Sequence, residues 1–177
     1  MLESLKSRAE ARCKAGEIYG AIVAQARQPS FYAGLGVPDT PSGRYEMVVL
    51  HLSLVIERLR SEPASPLPRM LAEAFVADMD DSLRELGTGD IAVPKKVRRA
   101  ATGLYERSVA YNTALKSADN DELADALARH VYGADNARHA NTLAAYVRAA
   151  AASLAATHVL EGSIGFPPVQ GLAAEAQ

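Results

Sequence analysis

Apolar residues recur along almost the whole chain at spacings of three and four, on a background in which about one residue in five is alanine. Alanine is the strongest helix former, and that spacing gathers apolar side chains on one face of a helix, so the two features together direct the chain to an all-α fold. β-branched runs are scarce, Trp is absent and Phe numbers three. With 177 residues, 49% of them hydrophobic and 23% charged, a single domain with a proper core is expected. The expected architecture is a single-domain helical bundle of about six helices, with an aromatic and proline-rich loop after the first helix.

Charge and cysteine usage exclude several function classes. Nineteen Lys and Arg against 21 Asp and Glu leave a net charge of −2, which argues against DNA binding by bulk positive charge. The single cysteine, Cys13, leaves no internal disulfide framework and fits a reducing compartment. Its place on an amphipathic helix predicts a small buried apolar side chain rather than a nucleophile. Met1–Glu10 is charged and lacks the apolar core of a secretory signal. The apolar runs Met47–Ile56, interrupted by His51, and Ala149–Leu160, which contains His158, fall short of the roughly 20 residues that span a bilayer. A cytoplasmic protein is expected.

Along the chain, residues 1–28 form an N-terminal amphipathic helix with Leu2, Leu5, Ala9, Cys13, Tyr19, Ile22, Val23 and Ala26 as its apolar stripe. Gly16 and Gly20 on it either admit a second helix closely or are merely tolerated. Residues 28–42 carry three prolines, two glycines and Asp39, and are expected to be irregular, yet Phe31, Tyr32, Leu35 and Val37 are apolar. A loop with that many apolar residues must lie on its own core or on a partner. A central helix follows over 42–61, capped by Ser42, with Glu46 near its positive end. Further helices are expected over 69–86, with Leu71, Phe75, Met79, Leu83 and Leu86 inward, over 94–118, then a short one from Asp119–Asp121 to Gly133, and a last one over 134–161. Residues 162–177 form an extended tail.

The residues nominate little chemistry. Phosphate loops, nucleophile elbows and paired cysteines are missing from the sequence. Asp135 and His139 share a helical spacing of four and can offer two metal ligands, but no third is nominated. No catalytic residue, metal or cofactor is therefore assigned. His51, inside the most apolar helix, reads either as a core histidine bonded to a polar neighbour or as a residue on a partner-binding rim. The segment Asp78–Arg99 is the strongest local anomaly. Asp78, Asp81 and Glu85 share a helical face, Asp80 and Arg84 stand beside it, and after Asp90 the run PKKVRR crowds Lys95, Lys96, Arg98 and Arg99 into the first turns of a helix. Cations there oppose the helix dipole. Salt bridges from the acidic helix across the turn would compensate them. The other reading is an anion-attracting patch for RNA, lipid headgroups or an acidic partner.

Two stretches carry a family resemblance. FYAGLGVPDTPSGRYEMVVLHLSLVIERLR (Phe31–Arg60) resembles the start of the ubiquinol–cytochrome c chaperone domain, and DMDDSLRELGTGDIAVPKKVRRAATGLYERSVAYNTAL (Asp78–Leu115) is similar to its second signature. The resemblance covers roughly residues 30–160, within a chaperone-like helical unit placed at 29–161. It implies a non-enzymatic role in building the cytochrome bc1 complex of the respiratory chain, with newly made cytochrome b as client. It also implies contact with the ribosome near the inner membrane and work beside a small partner protein. His51 and Arg58 fall in the first signature; Asp78, Asp81, Arg84, Glu85 and Asp90 fall in the second, which Lys95, Tyr105, Arg107 and Tyr111 continue. Phe31, Tyr32 and Leu35 are further client-binding candidates, and Lys95, Lys96, Arg98 and Arg99 are candidates for docking on the membrane or ribosome. A function of another class competes: a helical small-molecule-binding protein or enzyme using a pocket between the central helices.

Overall fold

The structure, a computed structural model, describes residues 2–62, 64–133, 139–157 and 164–169, with side chains from Ser7 onward. Its elements are α1 (Leu2–Ala26), α2 (Pro29–Ala33), α3 (Pro41–Arg60), α4 (Leu67–Glu85), α5 (Val93–Lys116), α6 (Asn120–Leu127) continued by a π-helical turn (Ala128–Tyr132), and α7 (Ala140–Ala156). Among the described residues there is no strand. The fold is all-α.

α3 is the axis of the molecule. Every residue from Glu46 to Ile56 is buried, because α1, α4, α5, α7 and the π-helical turn all pack on it. A helix apolar on nearly every side is stable only when surrounded in this way. Its start is set by Thr40 rather than Ser42: the Thr40 hydroxyl accepts from the Gly43 amide at 3.1 Å, and Pro41 occupies the first turn, where its missing N–H costs nothing. Gly43 is required here, since a Cβ would fall 1.9 Å from the Pro38 carbonyl oxygen.

The segment expected to be irregular contains one turn of helix, α2, begun by Pro29. This turn drives Phe31 into the core, where its ring meets His51 and Tyr146 edge-on at centroid distances of 5.3 and 5.0 Å. Of the two fates open to the loop's apolar residues, its own core is the one realised: Phe31, Leu35 and Val37 are buried. A fully buried side chain of this size contributes about 1.5–3 kcal/mol.

Other expectations need correction. Tyr19, Ile22 and Ala26 of the expected α1 stripe are buried, but Cys13 and Ala9 are exposed, and Ala15 and Ile18 complete the buried face in their place. Nine residues at about 100° each put Cys13 on the opposite side from Ile22; alanines on both sides of the helix make the two stripes look alike in sequence. Gly16 and Gly20 have open space around them, so they admit no close helix. The inward face of α4 fades along its length: Leu71 and Phe75 are buried, Met79 and Leu83 partly so, and Leu86 is 72% exposed.

The expected last helix, 134–161, is α7 in its described part. Residues 134–138 and 158–163, with Asp135 and His158, lie outside the described residues, as does the tail from 170. Ala144, Val147 and Ala150 bury the inner face of α7. Arg148 ties it to the turn before α6, donating to the carbonyls of Ser117 and Asp119 at 3.0 and 2.7 Å and to the Asn120 side chain at 3.0 Å. Asp119 caps α6 as expected, accepting from the Asp121 amide at 3.0 Å. Residues 164–169 return over the core: Ser153 donates to the Gly165 carbonyl at 2.6 Å, and Phe166 packs edge-on against His51.

Candidate functional site

His51 lies where α1, α2, α3, α7 and the returning tail meet, and it is fully buried. Its Nδ1 is 2.7 Å from the Met47 carbonyl oxygen and must donate there, so its Nε2 accepts from the Tyr146 hydroxyl at 2.8 Å. Gln25 donates to the same hydroxyl at 3.0 Å. Burial lowers the imidazole pKa to about 4, against the opposing bond to Met47. The ring is neutral and has no surface, which is the core-histidine reading and not the rim.

The other residues of the first signature divide by exposure. Phe31 and Leu35 are buried, whereas Tyr32 is half-buried and donates to the Ala26 carbonyl at 2.8 Å. Arg58, also half-buried, donates to the Leu154 carbonyl at 3.0 Å and pairs with Glu62 at 2.6 Å. These two lock neighbouring elements together.

In the second signature, α4 and α5 form an antiparallel pair beside α3. Arg107 reaches across to Glu46 with both Nε and Nη2 at 2.6 Å, and its guanidinium lies over the Tyr45 ring at 5.7 Å. This pair joins α3 to α5. Burial pushes the Glu46 carboxyl up, and the two bonds to Arg107 pull against it. Gly103 permits the approach, since a Cβ there would fall 2.6 Å from the Tyr45 hydroxyl and 3.1 Å from Arg107 Nη1. Tyr111 is fully buried beside the His130 ring, and its hydroxyl has no partner among the described residues; burial pushes its pKa up.

The acidic residues are mostly engaged on their own side of the molecule. Asp78 accepts from the Tyr19 hydroxyl at 2.7 Å, and Arg84 is held between Asp80 and Asp90 at 2.6 and 2.7 Å. Asp81 and Glu85 are exposed. The salt bridges expected for the basic cluster do not form. Lys95, Lys96, Arg98 and Arg99 are all exposed, and among the described residues none reaches a carboxylate. Arg84 takes Asp80 and Asp90 instead, and Lys96 donates only to the Thr88 hydroxyl at 3.2 Å.

Between α3, α4 and α5 runs an open groove of about 590 Å³. Ile56, Ala72, Val76, Leu104, Tyr105 and Val109 give it an apolar wall, and Arg60, Arg69 and Lys116 also line it. Tyr105 is 66% and Val109 50% exposed, an unusual exposure for large apolar groups on a helix that has a core to face. Of the sequence candidates, only Tyr105 lines this groove. Val109 was visible as the next residue on its helical face, four positions on. Val76 is only partly covered, and the α4 stripe does not mark which of its residues stay so, while Ile56 forms the buried floor of the groove.

The family model described as ubiquinol-cytochrome C chaperone matches residues 33–161. The crystal structure of the Cbp3 homolog from Brucella abortus is similar at a TM-score of 0.85 and 38% sequence identity, over 96% of this chain and 97% of that chain. No curated protein matches the chain. The family match takes in α3 to α7, the groove, the Glu46–Arg107 pair and the basic cluster, and the structural match extends over nearly the whole chain. The chain belongs to the ubiquinol-cytochrome C chaperone family.

Proposed function

We propose that this protein is a non-enzymatic assembly chaperone for the cytochrome bc1 complex, and that it holds newly made cytochrome b in the groove between α3, α4 and α5, at the cytoplasmic side of the inner membrane. The observation that carries the reading is the exposed apolar wall at Tyr105 and Val109, in a chain of this family. A segment made to enter a bilayer must keep apolar surface out of water before it inserts, and an open apolar groove shields such a segment without altering it chemically. The groove's rim is polar, with Arg60 paired to Glu57 and Arg69 to Glu73 beside Lys116. Among the described residues no helix is long and apolar enough to cross a membrane, so contact with the client's membrane is peripheral in this reading.

The test has two parts. Membranes from a strain lacking the protein should lose the b and c1 signals in a reduced-minus-oxidised spectrum, at normal cytochrome b transcript. A photo-reactive residue placed at Val109 should cross-link to nascent cytochrome b, and Tyr105→Asp with Val109→Asp should abolish the cross-link while helical content stays unchanged. An unchanged spectrum would remove the assembly role, and cross-linking that ignores the double substitution would remove the groove.

A further inference from the structure

Besides Tyr105 and Val109, the large apolar side chains exposed among the described residues are Leu86, at 72%, and Ile91, at 97%. Both stand in the turn between α4 and α5, at one end of the helix pair. The basic cluster begins four residues beyond Ile91. From Ile91 to Tyr105 the chain carries no acidic residue, and Lys95, Lys96, Arg98 and Arg99 are exposed without carboxylate partners among the described residues. The nearby acids lie on α3, α4, the turn and further along α5: Asp80 and Asp90 are taken by Arg84, Asp78 by Tyr19 and Glu46 by Arg107, while Asp81, Glu85 and Glu106 are exposed. Lys96 and Arg99 also line a depression of about 690 Å³ with Ser42 and Thr102. Positive charge is thus gathered on α5, directly behind an uncovered aliphatic tip.

We infer that this end of the molecule docks on an anionic lipid bilayer, with Leu86 and Ile91 entering the headgroup–acyl boundary and the four cations meeting lipid phosphates. Peripheral attachment that lasts needs two weak signals together, an apolar insertion and a basic patch, and this turn supplies both. The aliphatic tip favours lipid over RNA. Surfaces for single-stranded RNA stack bases on aromatic rings, whereas Ile and Leu gain from leaving water for hydrocarbon. Unpaired cations at a helix N-terminus oppose the helix dipole, an arrangement that an anionic surface relieves. Arg98, Tyr105 and Val109, spaced by seven and four, share one face of α5. A client in the groove would therefore lie along a face that leads to the bilayer, a point that rests on the assembly reading.

The test uses the full purified chain and vesicles of phosphatidylglycerol with phosphatidylcholine, against phosphatidylcholine alone, followed by co-sedimentation. Binding should require the anionic lipid and fall with salt. Each cation is worth about a five-fold change in partitioning, so Lys95→Glu, Lys96→Glu, Arg98→Glu and Arg99→Glu together should reduce it by about 100-fold or more. Leu86→Ser with Ile91→Ser, at exposed positions that the fold does not need, should reduce it about ten-fold with every charge intact. Equal binding to neutral vesicles overturns the proposal, as does indifference to both sets of substitutions. So does preferential binding of a single-stranded RNA oligomer that ignores Leu86 and Ile91. If charge reversal lowers helicity, the four Gln substitutions replace it. Vesicle binding is read without a client, so its failure leaves the cytochrome spectrum standing, and an unchanged spectrum with intact vesicle binding removes the assembly reading alone.

Discussion

Glu46 and Arg107 show how little a residue's neighbourhood in sequence says about its partner. Near the start of α3, Glu46 reads as a carboxylate placed to favour the helix dipole; in the fold it is buried and meets a guanidinium 61 positions away through two bonds of 2.6 Å. Glu46 is buried and Arg107 partly so, and a buried carboxylate is tolerated only while its partner is present. Arg107→Ala should therefore lower unfolding free energy by about 3 kcal/mol in urea denaturation, and adding Glu46→Leu should recover much of that loss, since no buried charge is then left unpaired. An unchanged midpoint for Arg107→Ala would mean that Glu46 finds another partner or water.

Helix ends and helix faces behave differently from one another at the scale of elements. The start of α3 depends on Gly43, whose missing side chain leaves room for the Pro38 carbonyl. Gly43→Ala should cost stability toward the upper end of the about 1–3 kcal/mol that overpacking brings. Gly16→Ala on α1, where nothing lies within 4 Å, should instead stabilise by about 1 kcal/mol through helix propensity. Thermal unfolding of the two variants in parallel checks both signs. The prolines, the Asp119 cap and the apolar periodicity mark α3, α4, α5 and α6 to within a few residues. The rotational setting of α1 was less legible, because alanines occupy both of its sides and only contact with α3 and α4 decides which side is covered. Cys13 fell on the wrong side for that reason.

The whole molecule converges on one buried imidazole. His51 receives Tyr146 from α7, bonds within α3, and packs against Phe31 of α2 and Phe166 of the returning tail. Unfolded, this histidine takes up a proton near pH 6.5; folded, it does so only near about 4. Between those values the unfolded chain binds a proton that the native one excludes, so stability is full above the upper value and falls as pH drops through the window. The loss reaches on the order of 3 kcal/mol. His51→Gln keeps a donor toward Met47 and an acceptor toward Tyr146 but does not titrate. Its stability, followed by urea denaturation from pH 7 to pH 4, should lack that part of the decline, and a slope identical to the parent protein would show that His51 is not the group responsible.

Helix-forming composition, apolar spacing, prolines and caps are local properties. By themselves they determined the all-α class and the position of the main helices, and the two ordered signatures led to the family. Tertiary structure alone decided what each face meets: that Phe31 and His51 serve the core, that Arg84 rather than the basic cluster takes Asp80 and Asp90, and that Tyr105, Val109 and Ile91 are left uncovered. The physical reason is that a repeat of three and four residues specifies that a helix has an apolar side. Whether that side is covered, and by which partner, depends on segments tens of residues away whose approach no local pattern encodes.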